Sequence, residues 1–273
     1  MPVRDMEATI AAQLAALARQ DYADTWEIIV VDNESRDDSM AVVDEWRERL
    51  PIRVVQATGV AECGYAKNVG AVAAAGELLA FCDADDEVRP DWLRVLVAAL
   101  RRSPLVAGIF DHAKLNPPGV AAVYDKGDYR TPRWGFLPSG TGANLGLRRS
   151  LFEQLGGFRV GYPEGDDTAL CWRAQLAGYE LVFEPGAVVD RRVKALSPWR
   201  TFLLSVRDGR SIVRHYQEFH VYGMRRSPLR DLAYDCVIVP VYLATGRPFR
   251  AARIAGRRIG RLIGSVRLRI LCL

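Results

Sequence analysis

Acidic residues follow two apolar segments in the amino-terminal third of the chain, with a spacing that suits metal and phosphate chemistry. Leu78–Cys82 leads directly into Asp83 and Asp85, and Glu27–Val31 leads into Asp32. One carboxylate of an Asp-x-Asp pair can bind a hard divalent cation while phosphate oxygens and waters complete the octahedron. A solvated acidic loop is the alternative interpretation, because so short a motif often arises by chance.

These acidic residues need a scaffold, and the first two-thirds of the chain alternates short apolar runs with amphipathic patterns. That alternation predicts an α/β fold with a mainly parallel sheet covered by helices. Ligands of such sheets gather at the carboxyl ends of the strands. The predicted helices are Glu7–Arg19, Ser39–Leu50, Ala66–Ala75, a segment after Pro90, and Thr168–Ala177. The predicted strands are Glu27–Val31, Ile52–Val55, Leu78–Cys82, Glu180–Glu184 and Ala187–Val189, and residues 111–140 read as loops with short edge strands.

The composition of the 273-residue chain is that of an ordinary globular protein, with 49% apolar and 26% charged residues. Its five cysteines are scattered and form no Cys-x-x-Cys pair, which favours a reducing compartment over a disulfide framework or a zinc site. The first 20 residues carry charges in place of the apolar centre of a secretory signal. The apolar run Cys236–Gly246 is too short to span a bilayer. We therefore expect a cytoplasmic protein.

The net charge of +4 conceals a strong asymmetry along the chain. Residues 1–190 carry 19 Lys and Arg against 29 Asp and Glu, a net −10, whereas residues 191–273 carry 18 against 4, a net +14. Within Arg250–Arg269, isoleucine and leucine alternate with arginine, as in a basic amphipathic helix. This pattern predicts a membrane-surface element, or alternatively a helical cap on the acidic body. Nucleic-acid binding is a weaker third interpretation, because no recognised module accompanies the charge.

Short motifs follow one another along the first two-thirds of the chain: Pro2–Asp5, Glu27–Ser35, Gly64–Gly70, Gly76–Asp86, Gly142–Arg149, Gly156–Phe158 and Glu164–Arg173. Taken in order, they resemble the family 2 glycosyltransferases. The resemblance covers about residues 2–195 and implies a GT-A (Rossmann-like) fold, and the charge pattern predicts a basic helical extension over residues 196–273.

The resemblance assigns part of these motifs to a nucleotide-sugar donor. Asp32 matches the carboxylate that reads the donor base or ribose, and Asp83 matches the ribose-contacting member of the Asp-x-Asp pair. Asp85 matches the metal ligand, for Mn²⁺ or Mg²⁺. Lys67 lies where a basic residue offsets the diphosphate charge, although an exposed helix lysine is an equally good interpretation.

Further residues are implied on both sides of the site. Pro2 and Arg4 belong to the first matched segment and are assigned to the donor, and Asn144 is assigned to the acceptor side. The pair Asp166 and Asp167 resembles the family's Glu-Asp motif, whose second member is the general base. A carboxylate is suited to take the proton of an acceptor hydroxyl as the new bond forms. We expect Asp167 to act as the base and Asp166 to cap the helix that follows.

The chain departs from the family pattern at four points. The strand that normally precedes the Pro-x-Arg-Asp segment is missing, which would leave an unpaired edge in the middle of the sheet; a start site placed too far downstream is one hypothesis. Asp190 lies near the place of a histidine that is often a metal ligand, and it is assigned either to the metal or to Arg191 or Arg192. Asp166 replaces the usual Glu. The Gln-x-x-Arg-Trp signature of processive enzymes is absent.

The resulting prediction is an inverting, non-processive enzyme that transfers a sugar from a nucleotide diphosphate to an acceptor hydroxyl. A uridine nucleotide is the expected donor. The expected acceptor is a glycan or lipid-linked molecule of the cell envelope, reached at the inner face of an anionic membrane. Two alternatives stay open. A nucleotidyltransferase would need a Gly-rich basic loop near the amino end, which Pro2–Ala8 does not provide. A non-catalytic nucleotide-sugar-binding protein on a decayed transferase scaffold would keep the fold without the reaction.

Overall fold

The computed structural model describes residues 1–118, 132–162, 164–194, 196–226 and 229–272. The chain divides into two compact units. The first comprises Met1–Thr131, Pro138–Val160 and Asp167–Val193, and the second comprises Pro132–Leu137, Gly161–Asp166 and Lys194–Leu273.

The first unit contains a parallel sheet of three strands in the order β1-β2-β3. All five residues of β2 are buried, as expected for a continuous Ile/Val run in a covered parallel sheet. The strands are β1 (Pro2–Val3), β2 (Ile28–Asp32) and β3 (Ile52–Gln56), and the helices between them are α1 (Glu7–Leu17) and α2 (Ser39–Asp44).

A second sheet of the same unit has five strands in the order β4-β7-β6-β8-β5. Its β6–β8 ladder is parallel and its other three ladders are antiparallel. The strands are β4 (Leu78–Cys82), β5 (Glu87–Val88), β6 (Leu105–Asp111), β7 (Asn144–Arg148) and β8 (Val182–Asp190). The accompanying helices are α3 (Cys63–Ala73), α4 (Trp92–Arg102), α5 (Arg149–Gln154) and α6 (Asp166–Leu176).

The predicted α/β class is confirmed, and the structure adds the antiparallel ladders of the second sheet. Several element boundaries differ from the prediction; α3, for example, begins at Cys63 instead of Ala66. The helix expected over Ser39–Leu50 ends at Asp44, since the amides of Trp46 and Arg47 bond three residues back in turns (3.1 and 3.3 Å). The two strands expected between residues 180 and 189 form the single strand β8. Part of the predicted loop region, residues 119–131, lies outside the described residues.

A cavity of about 710 Å³ lies in the first unit between the edges of β2 and β4. Ile29 and Val31 line it from β2, and Leu79 and Phe81 line it from β4. The Met1 amino group donates to the carbonyl of Ile29 (3.0 Å), so the β1 pairing continues to the end of the chain at this cavity. Burial lowers the pKa of this amino group. The cavity is lined mainly by apolar side chains, so a strand added there would pack between β2 and β4.

The second unit is helical: α7 (Pro198–Phe219), α8 (Leu229–Ala244) and α9 (Pro248–Leu268) follow one another. Ser197 caps α7 by accepting from the amide of Arg200 (3.2 Å). Glycines allow α7 and α9 to pack with their backbones in contact. A Cβ placed on Gly209 would lie 2.1 Å from the carbonyl oxygen of Arg257, and one on Gly260 would lie 2.1 Å from that of Val206. None of the helices described here is long and apolar enough to cross a membrane.

Extending the amino end by five residues of an alternating Val/Thr strand pattern is expected to stabilise the protein. Such a strand is about 17 Å long and would fill the cavity beside Ile29 and Leu79 while moving the ammonium group outward. Each buried Val contributes about 1.5–3 kcal/mol. Thermal unfolding measures the gain, and a Gly/Ser extension of equal length is the control. Equal melting temperatures for the two extensions would contradict the prediction.

Candidate active site

Three carboxylates gather where β4 ends. Asp83, Asp85 and Asp86 can bring one oxygen each to within 4.8 Å of the others. β4 ends at Cys82, as the sequence predicted, so the strand delivers the cluster to its carboxyl end. Asp86 was not assigned to the site from the sequence, although its place next to Asp85 is the signal that marks it.

Lys67 lies next to this cluster, on α3. Its side chain is only 6% exposed, and its Nζ lies 3.2 Å from Asp83 Oδ1. The interpretation of Lys67 as an exposed helix lysine is therefore wrong. Burial acts to raise the pKa of Asp83, but the charges of Lys67 and Arg191 and a hydrogen bond from Lys67 outweigh it, so this pKa is lowered. Asp83 stays ionised next to a buried ammonium group.

Asp86 has the opposite electrostatic setting. Its side chain is buried, and this burial, helped by the charges of Asp83 and Asp85, raises its pKa to about 7. The amide of Arg192 donates to its Oδ1 (2.9 Å) and opposes the shift. A divalent cation placed between these carboxylates would lower the pKa of Asp86, because its positive charge opposes the repulsion from Asp83 and Asp85.

The ligand set fits a hard divalent cation. Carboxylate oxygens are the ligands that Mg²⁺ and Mn²⁺ prefer. Asp83 Oδ1 is buried and lies at ion-pair distance from the Nζ of Lys67. Mn²⁺ or Mg²⁺ is accordingly a chemically suitable occupant.

Gly142 connects Asp167 with Lys67. Its amide donates to Asp167 Oδ2 (2.9 Å), and Asp167 Oδ1 accepts from the amide of Thr168 (2.6 Å). A Cβ on Gly142 would lie 2.7 Å from Lys67 Nζ, so no other residue fits here unless the lysine moves. The predicted base Asp167 is thus close to Lys67 and Asp83, and the sequence offered no sign of the role of Gly142 beyond its place in a matched segment.

The residues assigned to the donor base lie at the ends of β1 and β2. Asp32 ends β2, is buried, and accepts from the amide of Ser35 (2.9 Å) through Oδ1. Val3 pairs with Asp32, so Pro2 and the half-buried Arg4 flank it on the neighbouring strand. The structure brings these three predicted residues together, and their contact with a nucleotide stays a prediction.

Two other assigned residues have structural partners. Asn144 is fully buried, and its side chain accepts from Trp92 Nε1 (2.8 Å) and donates to the carbonyls of Ile109 and Ala187 (both 2.9 Å). These bonds link β7, α4 and the neighbouring strands. The acceptor-side role of Asn144 stays a prediction without support from this geometry.

Asp190 pairs with residues that the sequence did not indicate. Its Oδ1 accepts from Arg89 (3.0 Å) and its Oδ2 lies 3.4 Å from Lys114, so the expected partners Arg191 and Arg192 are wrong. The group of carboxylates that could share a cation among the described residues does not include Asp190. Its role as a metal ligand stays a prediction.

In the second unit, α7 holds the segment that precedes the acidic pair. The amide of Glu164 donates to Ser211 Oγ (2.9 Å), and the His215 ring nitrogens lie 2.7 Å from the carbonyl oxygen of Ser211 and 2.8 Å from that of Gly165. A carbonyl only accepts, so the ring makes both bonds only when both of its nitrogens carry protons. Asp166 follows Gly165 as the half-buried first residue of α6, and its capping role stays a prediction.

The fold and the site define an α/β domain with the ligand set of a divalent-cation site at a strand end, flanked by a buried lysine. The chain belongs to glycosyl transferase family 2, whose family model matches residues 1–156.

The curated relatives share short regions with the chain. The poly(ribitol-phosphate) β-N-acetylglucosaminyltransferase TarS of Staphylococcus aureus is 33% identical over 96 residues, which cover 34% of this chain and 17% of that protein. The succinoglycan biosynthesis protein ExoM of Rhizobium meliloti is 27% identical over 174 residues, which cover 61% of this chain and 56% of that protein. The chain thus spans less than two thirds of the length of either relative.

Solved structures share the fold. The mannosyltransferase PcManGT of Pyrobaculum calidifontis, in complex with GDP-Man and Mn²⁺, superposes with a TM-score of 0.69 at 20% identity, over 96% of this chain and 85% of that one. Residues 1–349 of S. aureus TarS in complex with UDP-GlcNAc superpose with a TM-score of 0.58 at 16% identity, over 98% of this chain and 90% of that one. These likenesses confirm the predicted GT-A fold.

Because the pKa of Asp86 is raised, we expect the stability of the folded protein in metal-free buffer to depend on pH. The folded-state pKa of about 7 exceeds the ordinary 3.8, so the folded state holds a proton that the unfolded chain has lost. Stability from this group is therefore lost as the pH rises from about 4 to 7, by about 1 kcal/mol per pH unit in the steep part. Asp86→Asn should remove this loss, so the free energy of unfolding of the variant should increase relative to that of the wild type as the pH rises. Urea unfolding at pH 5, 6 and 7 measures it.

The matched control for this test is Asp44→Asn, which changes an exposed carboxylate on α2 that pairs with Arg47. This variant should follow the wild type at every pH. If the Asp86→Asn and wild-type unfolding energies stay parallel from pH 5 to 7, the buried carboxyl group does not titrate in this range and the prediction is wrong.

Proposed function

We propose that the protein is an inverting, non-processive glycosyltransferase that moves one sugar from a nucleoside diphosphate to an acceptor hydroxyl. The observation that carries the proposal is the contiguous arrangement of Asp83, Lys67, Gly142 and Asp167 beside the acidic cluster. Ligands for a cation, a cationic side chain and a backbone-oriented carboxylate are the groups that the transfer of a sugar from a diphosphate needs.

Asp167 is the proposed general base. Each of its oxygens accepts one backbone hydrogen bond, from Gly142 and Thr168, which orients the carboxylate and leaves lone pairs for a proton. As the acceptor oxygen attacks the anomeric carbon, its proton passes to Asp167. The bond from the anomeric carbon to the diphosphate oxygen breaks with its electron pair on the leaving group, and attack from the opposite face inverts the configuration. Base catalysis of this kind contributes about 10²–10⁴-fold.

The donor diphosphate would lie beside Asp83, Asp85 and Lys67. A divalent cation bound by the carboxylates supplies positive charge for the leaving diphosphate. Lys67 adds a second cation within the same site, and its burial strengthens its attraction for phosphate oxygens. Asp32, Arg4 and Pro2 would contact the base or ribose from the ends of β1 and β2. A uridine nucleotide is the proposed donor, with guanosine as the competing choice, since the two solved relatives named above hold UDP-GlcNAc and GDP-Man.

The proposed acceptor is a glycan or lipid-linked molecule of the cell envelope. The two curated relatives reported above are named as a poly(ribitol-phosphate) β-N-acetylglucosaminyltransferase and a succinoglycan biosynthesis protein, which supports this class of acceptor.

Nucleotide binding should depend on metal and on Asp85. A ligand at about 100 times its dissociation constant stabilises by about 2.7 kcal/mol, which raises the melting temperature by about 5–10 °C for a protein of this size. We expect this shift in melting temperature for UDP with Mn²⁺. The shift should be smaller when UDP is added with EDTA, and small when GDP replaces UDP. Asp85→Asn should lose the metal-dependent part, whereas Asp44→Asn should keep it. Equal shifts with and without metal would overturn the metal assignment.

Asp167→Asn should abolish transfer without affecting donor binding. The expected loss is about 10²–10⁴-fold in the release of nucleoside diphosphate from the donor that thermal shifts identify, in the presence of envelope glycans or lipids. Its nucleotide-induced shift should equal that of the wild type. Nucleotide binding with no release by any variant would favour the non-catalytic alternative, and release of pyrophosphate from a nucleoside triphosphate would favour a nucleotidyltransferase.

A further inference from the structure

Exposed apolar side chains are concentrated in the helical second unit. Of the 18 large apolar side chains that are exposed among the described residues, 15 lie between Trp199 and Leu271. The first unit has three, Val72, Val160 and Leu176, which is ordinary for a protein surface. Apolar side chains gathered on one part of a surface mark an interaction site.

The helix α8 carries apolar side chains along its exposed side. Its Asp235 pairs with Arg258 of α9 (Nε to Oδ2, 2.9 Å). Tyr234, Val237 and Val241 recur at helical spacing and are 61%, 66% and 45% exposed. Globular helices place the apolar stripe against the core and the charges in solvent. The polarity of α8 fits a helix whose outer surface meets an apolar medium.

The helix α9 presents a second exposed stripe. Its buried positions include Gly256, Gly260 and Gly264, which pack on α7. The exposed stripe recurs at i, i+3, i+4 and i+7, a single helix face. It consists of Ile259, Leu262, Ile263 and Val266, which are 36–79% exposed.

Positive charge accompanies the apolar stripes. Residues 191–273 carry a net charge of +14, and on α9 the exposed Arg253 and Arg267 flank the apolar stripe in sequence. Each basic residue near an anionic leaflet adds a favourable electrostatic contribution to binding. A second copy of the chain would bring an equal positive charge to the same surface, and like charges repel. Anionic lipid complements both the charge and the apolar stripes.

We propose that the outward stripes of α8 (Tyr234, Val237, Val241) and α9 (Ile259, Leu262, Ile263, Val266), together called the docking face, bind the surface of an anionic lipid bilayer. The apolar side chains enter the boundary between headgroups and acyl chains, and the arginines stay among the anionic headgroups. The proposal is independent of the proposed glycosyl transfer, because it uses no residue of the candidate active site.

The test is co-flotation of the full chain with vesicles of phosphatidylcholine alone or with about one third phosphatidylglycerol. We expect binding to the anionic vesicles only, weaker at about 1 M than at about 0.1 M salt, because the Debye length falls from about 10 to 3 Å. The double variant Leu262→Ser, Val266→Ser should bind about tenfold more weakly, since each serine removes apolar burial in the lipid. Both positions are exposed, so its unfolding temperature should equal that of the wild type.

The matched control is Val72→Ser, Leu176→Ser, which changes two exposed apolar residues of the first unit and should bind vesicles like the wild type. Equal loss in both double variants would overturn the docking face. So would equal binding to neutral and anionic vesicles, or no binding to either. A dimer in solution that Leu262→Ser, Val266→Ser dissociates would assign the face to a second copy of the chain instead.

Discussion

The candidate site depends on the ion pair between Lys67 and Asp83. Three carboxylates at the end of β4 repel one another, and one of them, Asp86, is buried deeply enough that its pKa rises to about 7. The buried ammonium of Lys67, 3.2 Å from Asp83, supplies compensating charge and ties α3 to the end of β4. Removing one partner of a buried pair costs about 3–5 kcal/mol, because the other charge is left without compensation. The ammonium group of the same lysine lies close to Gly142, and Gly142 in turn orients Asp167.

Local patterns in the sequence predicted the parts of this arrangement that are local in the chain. The Leu78–Cys82 run has the ends that the structure shows, and it places Asp83 and Asp85 at a strand terminus, because the acidic residues follow the apolar run directly. The partners that complete the site come from distant positions. Lys67 meets Asp83, and Gly142 meets Asp167 across 25 residues. Whether a lysine on a helix is buried depends on the elements that pack over it. A single sequence does not indicate which elements these are.

Asp190 and Asn144 illustrate the same limit. Both are polar residues in motifs that resemble functional ones, and both have their hydrogen-bonding capacity engaged by remote groups, Arg89 for the first and the Trp92 indole for the second. Composition likewise indicated a basic helical tail but left open whether it covers the acidic body or faces a membrane. The exposure of each residue shows that α9 has two different faces. One is lined by glycines and packs against α7, and the other is apolar and exposed to solvent.

The glycine contact between α7 and α9 also has a mechanical consequence. Side chains usually separate packed helices by 8–10 Å and can shift through rotamer changes. Where Gly209 and Gly260 let the two backbones touch, no such adjustable layer lies between them. Over α9, a helix about 31 Å long, sliding or rotation against α7 would drive backbone into backbone. We therefore expect the two helices to move as one rigid element, so that a force applied at the outer face of α9 is transmitted to α7.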